Sequence, residues 1–577
     1  MTASPVLVIA SEGALPVERR VWGTGGWVPA ADREALDWLT LARLLGWGAS
    51  VARLSSGRIG DLVAKETRWI IIACDPDTIG EDTATMLATF LDSQPAMIVG
   101  RAAAEDSPLA RLAGVSRGTG RTAGDSFEWN GPGTAKQWRT ERLLAVDASV
   151  AKSDVATWAT IDGSPLIGGR RVGLGTVATL SAHPSEIRDA GGCGTALLRI
   201  LLTAGSRGPV AWLDFENTLV LRMDDPGGAQ NVHCAAWRYA KIDEPGWCAI
   251  AADLHRRNGR LSVFYTAGWV DDGDASRGSL SVGGVPASRT AGMVHPSPQV
   301  VYEPSGDLHA QRSDYTSEFR GIEALRDGGS GDVELHGFTH IHPDAVAWAS
   351  SRDRYEKLGW FRELGASAAA TIASRRDSEH PIALGIAALE QQFGVTPTTL
   401  VAPGDDWTDE VLETALDCGL QLVDSYYLAL RHENRFCWTT HVCAPYLDKA
   451  DARWFDSGLP VIGYFHDMEL AVDGVEWMFE WLDRWQRAGA RRLIDFRELA
   501  GALGRRVHLD QVEGPLLRVE NAGGPPLVRP LPIAFRTANG CIPAELAVTS
   551  DKSEFVLPVR EIETGIGRVE LPPSPPG

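Results

Sequence analysis

Short apolar segments alternate with segments of helical periodicity along the first third of the chain. Apolar runs occur at residues 6–10, 69–72 and 97–99, and Leu36 and Leu39 lie on one face of a helical pattern between the first two runs. Strands that alternate with helices predict a parallel β-sheet covered by helices on its faces. We expect this α/β domain to span residues 1–208.

The same alternation resumes over residues 209–504. Apolar strand candidates lie at 219–221, 261–264, 399–401 and 461–464, and polar, titratable residues follow several of them directly. In barrels built from β/α units, the loops after the carboxyl ends of the strands meet at one mouth and carry the chemistry. This middle domain is therefore predicted to hold the functional site.

The last segment, residues 505–577, has a different pattern. It is rich in Val, Pro and Gly, contains short alternating runs such as the one at 555–559, and ends in the proline-rich stretch 572–577. Alternating runs separated by turn residues are typical of β-strands joined by short loops. We expect a small β-sandwich here, so that the whole chain is a multidomain α/β protein.

Charge narrows the set of partners. The 55 Lys and Arg residues against 75 Asp and Glu residues give a formal net charge of −20, which is the wrong sign for attracting the phosphates of nucleic acid. The same charge disfavours strongly anionic glycans and is compatible with neutral substrates, or with products that become cationic amines. No pattern in the sequence predicts the oligomeric state.

The sequence lacks the usual patterns of a secretion signal and of a membrane-spanning helix. The apolar run at the amino terminus lacks a basic start and ends at Ser11, and no run approaches the ~18 apolar residues of a membrane helix. The eight cysteines include no Cys-x-x-Cys pair, which favours reduced thiols over a disulfide framework. We therefore expect a cytoplasmic protein without a membrane span, and secretion stays open if the natural chain starts earlier.

Three short polar stretches follow apolar strand candidates in the middle domain. They are residues 221–227 with two adjacent aspartates, residues 336–340 with the pattern His-x-x-x-His, and residues 464–467 with His466. Two imidazoles four positions apart can face one side of a turn, and one carboxylate completes a three-ligand metal site that leaves positions open for water or substrate. Neighbouring side chains diverge along an extended backbone, so one aspartate can ligate while the other stays free as a base.

Each stretch also has a purely structural interpretation. Asp, Pro and Gly at 224–227 are typical of a turn near a helix cap, the two histidines at 336 and 340 could form a half-buried pair, and a single histidine at a strand end is usually structural. The ordered occurrence of all three stretches at successive strand ends favours a site assembled from several loops.

These stretches resemble motifs of the polysaccharide deacetylase superfamily, in a divergent branch related to carbohydrate esterase family four. The Met-Asp-Asp at 223–225 and the His-x-x-x-His at 336–340 resemble its first two motifs. The Ala-Pro-Gly-Asp-Asp-Trp at 402–407 lies where the third motif is expected, and the Phe-His at 465–466 lies where the last motif is expected.

The resemblance implies a distorted (β/α) barrel that holds a divalent metal ion, usually zinc. It implies Asp225, His336 and His340 as metal ligands, Asp224 as the general base that takes a proton from water, and His466 as the general acid for the leaving amine. A divalent ion lowers the pKa of bound water toward about 7 and polarises the carbonyl, and an amine leaves poorly without a proton. One carboxylate with two imidazoles also suits iron, cobalt, nickel or manganese.

One position departs from the family pattern. Members commonly carry an arginine in the third motif that orients the base, where this chain has Ala402. Arg222, two positions before the base, points to the same side of an extended strand and is our hypothesis for the replacement. We also predict substrate-binding or orienting roles for Trp269, Asp405 and Asp406, since aromatic faces and carboxylates suit the surface of a sugar.

The first domain resembles the class I glutamine-amidotransferase-like α/β domains. The His-Pro-Ser-Glu at 183–186 resembles the His-x-Glu of their catalytic triads. The glycine-flanked elbow that exposes the nucleophile is missing, because Cys74 stands between Ala73 and Asp75. We therefore expect a non-catalytic domain.

Together these features predict a metal-dependent de-N-acetylase that hydrolyses the acetamide of an N-acetylated sugar or glycan. Two alternatives stay open. One is a metal-dependent hydrolase of a non-sugar small amide or ester, and the other is a carbohydrate-binding scaffold without turnover. The retained aspartates and histidines argue against the scaffold, whereas the changed third motif keeps it open.

Overall fold

The chain folds into an α/β protein whose two largest sheets both contain parallel strands. The computed structural model describes residues 4–11, 30–54, 63, 66–234, 237–305, 311–351, 359–511, 514–550 and 553–575. The predicted α/β class with parallel sheets is confirmed. The domain boundaries after residues 208 and 504 stay predictions.

The amino-terminal part forms one sheet flanked by helices. Its elements are β1 (Val6–Ala10), α1 (Ala30–Leu44), β2 (Ala49–Arg53), β3 (Trp69–Ala73), α2 (Glu81–Ser93), β4 (Met97–Arg101), α3 (Pro108–Ala113), β5 (Val115–Trp129), β6 (Lys136–Ala151), β7 (Val155–Ile161), β8 (Ser164–Val172), β9 (Gly175–Leu180), α4 (Pro184–Asp189) and α5 (Gly192–Gly205). The strand order is β2-β1-β3-β4-β9-β8-β7-β5-β6.

Only half of this sheet has the predicted parallel pattern. Strands β2, β1, β3, β4 and β9 pair in parallel, whereas β8, β7, β5 and β6 pair antiparallel. The expectation that strands alternate with helices throughout residues 1–208 is therefore wrong between α3 and β9, where no helix separates the described strands. The long strands β5 and β6 expose many of their residues, which suits antiparallel strands with a solvated face and not parallel strands buried under helices.

The middle part begins with β10 and contains most of the helices. Its elements are β10 (Val210–Leu213), β11 (Thr218–Asp224), α6 (Gln230–His233), α7 (Glu244–Arg256), β12 (Leu261–Tyr265), β13 (Gly268–Val270), β14 (Gly278–Val282), β15 (Val285–Ala287), β16 (Val294–Pro296), β17 (Val300–Pro304), β18 (Ser313–Asp314), α8 (Tyr315–Asp327), β19 (Gly331–Leu335), α9 (Ala345–Ser350), α10 (Ala369–Ala373), α11 (Pro381–Phe393), β20 (Thr399–Val401), α12 (Asp409–Asp417), β21 (Leu422–Asp424), β22 (Tyr427–His432), β23 (Arg435–Cys443), β24 (Val461–His466), α13 (Asp467–Asp473), α14 (Glu476–Ala488), β25 (Arg492–Ile494) and α15 (Phe496–Leu503).

The main sheet of this part is parallel around β11. Hydrogen bonds connect the strands in the order β23-β22-β21-β20-β19-β12-β11-β24. β25 pairs with Thr218–Val220 at the start of β11, and β12 pairs with Arg222 and Met223 near its end. Within the described residues the path does not return to its first strand, so closure into a barrel stays a prediction.

The carboxyl-terminal strands form two small sheets. They are β26 (Arg505–Gln511), β27 (Pro515–Asn521), β28 (Leu531–Arg536), β29 (Glu545–Ser550), β30 (Ser553–Pro558), β31 (Arg560–Glu563) and β32 (Ile566–Leu571). One sheet has the order β26-β27-β29-β30, and the other has the order β10-β28-β32-β31, so that β10 joins the carboxyl-terminal strands. The sandwich arrangement stays a prediction.

Buried aromatic side chains join these parts. Trp47 after α1 stacks on Trp69 of β3 with ring centroids 4.0 Å apart, and its indole N–H donates to the carbonyl of Ala211 in β10 over 2.6 Å. One hydrophobic cluster includes residues of the first sheet, of the middle sheet and of β28. No helix among the described residues is long and apolar enough to span a membrane.

Candidate active site and metal centre

The register of two neighbouring strands brings the predicted base and acid together. β11 ends at Asp224 and β24 ends at His466, and these two residues stand opposite each other in the parallel pairing. Two positions earlier, Arg222 stands opposite Tyr464. Because side chains two positions apart share a face of a strand, all four side chains lie on the same face of the sheet at its carboxyl edge.

The three predicted metal ligands converge beside this pair. Asp225 follows β11, and His336 and His340 follow β19. One ligand atom from each lies within 4.8 Å of the others. Asp225 Oδ1 is 3.2 Å from His336 Nε2 and 3.1 Å from His340 Nε2. Both imidazoles are buried, whereas Asp225 is partly exposed.

The donor set fits a divalent cation. His336 Nδ1 lies 2.9 Å from the carbonyl oxygen of Val401 and donates its proton there. In neutral His336 this hydrogen bond leaves the Nε2 lone pair facing a carboxylate oxygen of Asp225. A cation between these two electron-pair donors, either a metal ion or a second ring proton, makes the contact favourable. The hydrogen bond to Val401 also fixes the tautomer and the orientation of the ring, as second-shell partners do for metal-bound histidines.

Two of the predicted ligands have a backbone conformation that residues other than glycine rarely adopt. Asp225 has φ +83° and His340 has φ +60°. Such conformations cost roughly 1–3 kcal/mol each and persist where the surroundings hold them. For the His340 loop the support is Glu363, a buried carboxylate that accepts the backbone N–H groups of Phe338 at 2.7 Å and Thr339 at 3.0 Å, and also the one of His340 at 3.2 Å.

Arg222 is bound to two carboxylates beside the metal ligands. Its Nε and Nη2 contact both oxygens of Asp224, at 2.8 and 2.5 Å, and its Nη1 donates to Asp424 Oδ2 at 2.9 Å. Burial opposes the charge of Arg222, but Asp224 and Asp424 outweigh burial and raise the pKa of the guanidinium. Burial raises the pKa of Asp424 to about 7, although Arg222 acts against this shift.

His466 is held by a tyrosine and a glutamate. The Tyr446 hydroxyl lies 2.6 Å from His466 Nδ1 and donates to Glu469 Oε1 over 3.0 Å. The other oxygen of Glu469 accepts the backbone N–H of His466 at 2.7 Å, which caps α13. Burial lowers the pKa of His466, but the hydrogen bond with Glu469 and the charge of Asp225 outweigh it and raise this pKa to about 9.

These groups line one cavity of about 310 Å³. The two aspartates, the three histidines and Arg222 all reach it, together with Asp405 and an aromatic rim that includes Trp237, Phe361, Tyr426 and Tyr446. Asp405 accepts a hydrogen bond from Ser425 Oγ over 2.6 Å. The lining of the cavity therefore combines charged and aromatic side chains.

The other two predicted substrate contacts lie elsewhere. Trp269 has no accessible surface and packs in a separate cluster, with its ring centroid 5.5 Å from that of His233 and 6.0 Å from that of Tyr302. Asp406 is buried, and burial raises its pKa. In this conformation neither side chain lines the cavity, because both face the protein interior.

Several residues of the site lay outside the sequence prediction. They are Asp424, Tyr446, Glu469 and Glu363, together with the buried Lys241, which contacts the backbone of Asp225. Asp424 ends the apolar strand β21 and Glu469 stands three positions after His466, so strand-end position and capping-box spacing were available signals. Tyr446 and Glu363 have no local pattern, because distant chain segments bring them to the site.

Comparison with known proteins gives only weak similarities. No protein-family model matches the chain, and no curated protein matches it. Among solved structures, the carbohydrate deacetylase Agd3 has a TM-score of 0.44 at 10% identity and covers 99% of this chain and 97% of its own. A pseudoenzyme of the CE4 family from Bacillus anthracis has a TM-score of 0.24 at 10% identity, covering 49% of this chain and 65% of its own.

An exo-β-1,4-mannosidase from Opitutaceae bacterium strain TAV5 has a TM-score of 0.22 at 17% identity and covers 32% of each chain. TM-scores of this size do not establish a common fold.

Proposed function

We propose that the chain is a metal-dependent amide hydrolase that removes the acetyl group from an N-acetylated sugar or glycan. The observation that carries this proposal is the arrangement in one cavity of three potential metal ligands, with Asp224 and His466 on paired strand ends beside them. This arrangement separates a carboxylate that can accept a proton from an imidazolium that can donate one.

Asp225, His336 and His340 would hold the ion, which we propose to be zinc. When bound, a divalent ion would supply an acidified water and polarise the acetamide carbonyl. Two imidazoles and one carboxylate leave coordination positions open, as hydrolytic metal sites require. The hydrogen bond from His336 to Val401 keeps one ligand oriented.

Asp224 acts as the general base. It accepts a proton from the attacking water, whose oxygen forms a bond to the carbonyl carbon. Arg222 holds both oxygens of Asp224 in a two-pronged contact, which fixes the orientation of this carboxylate. This contact takes the place of the arginine that the third motif lacks at Ala402.

His466 acts as the general acid. It donates a proton to the amide nitrogen as the carbon–nitrogen bond breaks, so that the products are acetate and an amine. The Tyr446 hydroxyl accepts a hydrogen bond from the Nδ1–H of His466 and donates its own hydrogen bond to Glu469, which leaves Nε2 for the proton transfer. The raised pKa of His466, about 9, keeps the ring protonated at neutral pH.

Support for a sugar comes from the wall of the cavity. Trp237, Phe361 and Tyr426 line it with aromatic side chains, while Arg362 and Asp405 line it with charged ones. Sugars alternate apolar C–H faces with hydroxyl groups, and such mixed walls suit them.

The test is release of acetate from a panel of N-acetyl sugars, N-acetylated oligosaccharides and non-sugar acetamides. We expect acetate only with the sugar substrates and only with metal present. Turnover limited to the non-sugar acetamides would reject the carbohydrate substrate while keeping the metal chemistry. If the protein binds stoichiometric metal but turns over none of these substrates, the carbohydrate-binding scaffold without turnover is favoured.

A further inference from the structure

A buried ammonium group contacts the loop that carries Asp225. The Lys241 side chain has no accessible surface, and its Nζ is 2.5 Å from Asp467 Oδ2 and 3.6 Å from Glu318 Oε1. The same nitrogen donates to the backbone carbonyl of Asp225 over 3.4 Å. Lys241 does not line the cavity, so it can affect the site only through the residues that it contacts.

Lys241 and Glu318 hold the two ends of one strained turn. Asp225 and Gly227 both have positive φ, +83° and +81°, on either side of Pro226. Lys241 donates to the carbonyl of Asp225, which also accepts the N–H of Gly228 at 3.1 Å and the Gln230 side chain at 3.4 Å. Glu318 Oε2 accepts the N–H of Gly227 over 2.9 Å. Backbone in this conformation persists where its surroundings hold it, and here the contacts of Lys241 and Glu318 come from outside the turn.

Lys241 also reaches the loop of His466. Asp467 directly follows His466, and its two oxygens accept from Lys241 and, over 2.6 Å, from the hydroxyl of Tyr239. One ammonium therefore contacts the carbonyl of a metal ligand and the residue beside the general acid. These two loops are 241 positions apart along the chain, from Asp225 to His466, and the strand pairing of β11 with β24 ends where they begin.

Burying these charges is costly, which argues that the arrangement serves a purpose. Burial lowers the pKa of Lys241, but Asp467 and Glu318 outweigh it and raise this pKa above its usual value. Burial raises the pKa of Glu318 to about 7 against the opposing effect of Lys241. A hydrophobic side chain would fill such a space at a lower desolvation cost, but it would bind neither loop.

We propose that Lys241 is a positioning residue that holds the Asp225 turn in its ligating conformation and sets the separation between Asp225 and His466. The proposal rests on the metal site of the proposed function. It predicts two separable effects of losing the ammonium, because one contact acts on a metal ligand and the other acts on the acid. Metal affinity should fall, and turnover at saturating metal should fall as well.

The test uses the full chain with Lys241→Met, which keeps the length of the side chain and removes its charge. The control is Arg260→Met, since Arg260 is a largely buried cation that pairs with Asp495 and Glu498 at the opposite, amino-terminal end of β12. The measurements are the Zn²⁺ dissociation constant by chelator competition, the absorption spectrum of the Co²⁺ form, and the melting temperature.

We expect both variants to melt at a lower temperature than the parent chain. Lys241→Met should bind Zn²⁺ at least tenfold more weakly and show a changed Co²⁺ spectrum, whereas Arg260→Met should match the parent in both. At saturating Zn²⁺, kcat of Lys241→Met should fall at least tenfold with KM within about twofold, because Lys241 does not touch the cavity.

Unchanged Zn²⁺ affinity and Co²⁺ spectrum in Lys241→Met would overturn the proposal. If that variant does not fold, Lys241→Gln decides in the same way, since it also removes the ammonium but keeps a polar side chain. A parent chain that binds neither ion would contradict the metal site itself, and this outcome is distinct from failure of the Lys241 proposal.

Discussion

Arg222 has two carboxylate partners, and the chemistry of the site depends on how it divides its contacts. Both oxygens of Asp224 are occupied by the guanidinium, while Asp424 accepts from the remaining nitrogen. Burial raises the pKa of Asp424 to about 7 against the opposing effect of Arg222. The two-pronged contact with Arg222 therefore fixes the orientation of the Asp224 carboxylate.

We expect Arg222→Met to lower kcat/KM at least a hundredfold and to destabilise the fold. Removing one partner of a buried pair leaves an unpaired charge and costs ~3–5 kcal/mol. Steady-state kinetics and thermal melting measure the two effects. Arg222→Lys is the matched control, since it keeps the charge but loses the two-pronged contact, and it should recover stability more than rate. Unchanged turnover in Arg222→Met would remove its role with the base.

A second pair of variants separates metal binding from proton transfer. Asp225→Ala should lose the metal, since it removes a ligand, whereas Asp224→Asn should keep near-stoichiometric metal by elemental analysis. Turnover of Asp224→Asn should fall ~10²–10⁴-fold, the range that general bases contribute. Full metal content in Asp225→Ala would refute the ligand assignment, and an active Asp224→Asn would refute the assignment of the base.

The pH profile tests His466. A general acid must carry its proton, so kcat/KM should decline as the pH rises through the pKa of His466, which is raised to about 9. Glu469 raises this pKa through its hydrogen bond, so Glu469→Gln should move the basic limb to lower pH and leave the acidic limb in place. A basic limb that stays in position would show that another group governs it.

At the scale of elements, the strand ends are regular and the turns after them are strained. β11 and β24 keep a continuous parallel register to their last residues, which sets Asp224 opposite His466. The chain then turns sharply at Asp225, and at Gly227 an added Cβ would lie 2.3 Å from the carbonyl oxygen of Thr266. The turn therefore requires glycine for space as well as for its positive φ.

Gly227→Ala should lower the melting temperature and weaken Zn²⁺ binding, because the loop must move away from Thr266 and carries Asp225 with it. Gly283→Ala is the matched control, since Gly283 also has positive φ, +59°, but has no atom within 4 Å of an added Cβ. The control should lose only the ~1–2 kcal/mol of folding stability that a left-handed backbone conformation costs a residue with a side chain, and it should keep its metal affinity. Equal effects of the two variants would argue against a tightly packed metal loop.

At the scale of the whole molecule, a buried histidine joins the first sheet's helices to the middle sheet. His441 on β23 lies 3.2 Å from the carbonyl oxygen of Asp37 on α1 and 3.3 Å from the Thr195 hydroxyl on α5. Burial and the nearby Arg188 lower the pKa of His441 to about 3. The ring is therefore neutral in the folded protein, donating to one helix and accepting from the other.

Because the pKa of His441 is lowered in the folded protein, we expect the free energy of unfolding to fall in acid. The unfolded histidine titrates near pH 6.5 and the folded one near pH 3, so the unfolded state binds more protons as the pH falls below about 6.5. Relative to His441→Gln, the parent chain should lose about 2 kcal/mol between pH 7.5 and pH 5. Melting temperatures of both chains across this range measure the difference, and parallel curves would contradict it.

Much of the chemistry and part of the fold are local properties of the sequence. The apolar runs of β1, β3, β4, β11 and β24 predict buried parallel strands, because strands covered on both faces are apolar throughout. The spacing His-x-x-x-His and the paired aspartates predict a metal site, because ligand type and spacing can be read from neighbouring positions. The structure brings these residues to one cavity, and their catalytic roles stay predictions to be tested by the variants above.

The tertiary structure decided what depends on residues far apart in the chain. It turned residues 115–172 into antiparallel strands, buried Trp269 away from the cavity, and brought Asp424, Tyr446 and Lys241 to the site. No local pattern encodes these contacts, since each depends on which segment packs against which. The sequence by itself determined which groups could carry the reaction, whereas packing determined which partners hold them, because orientation and pKa depend on neighbours brought together by the fold.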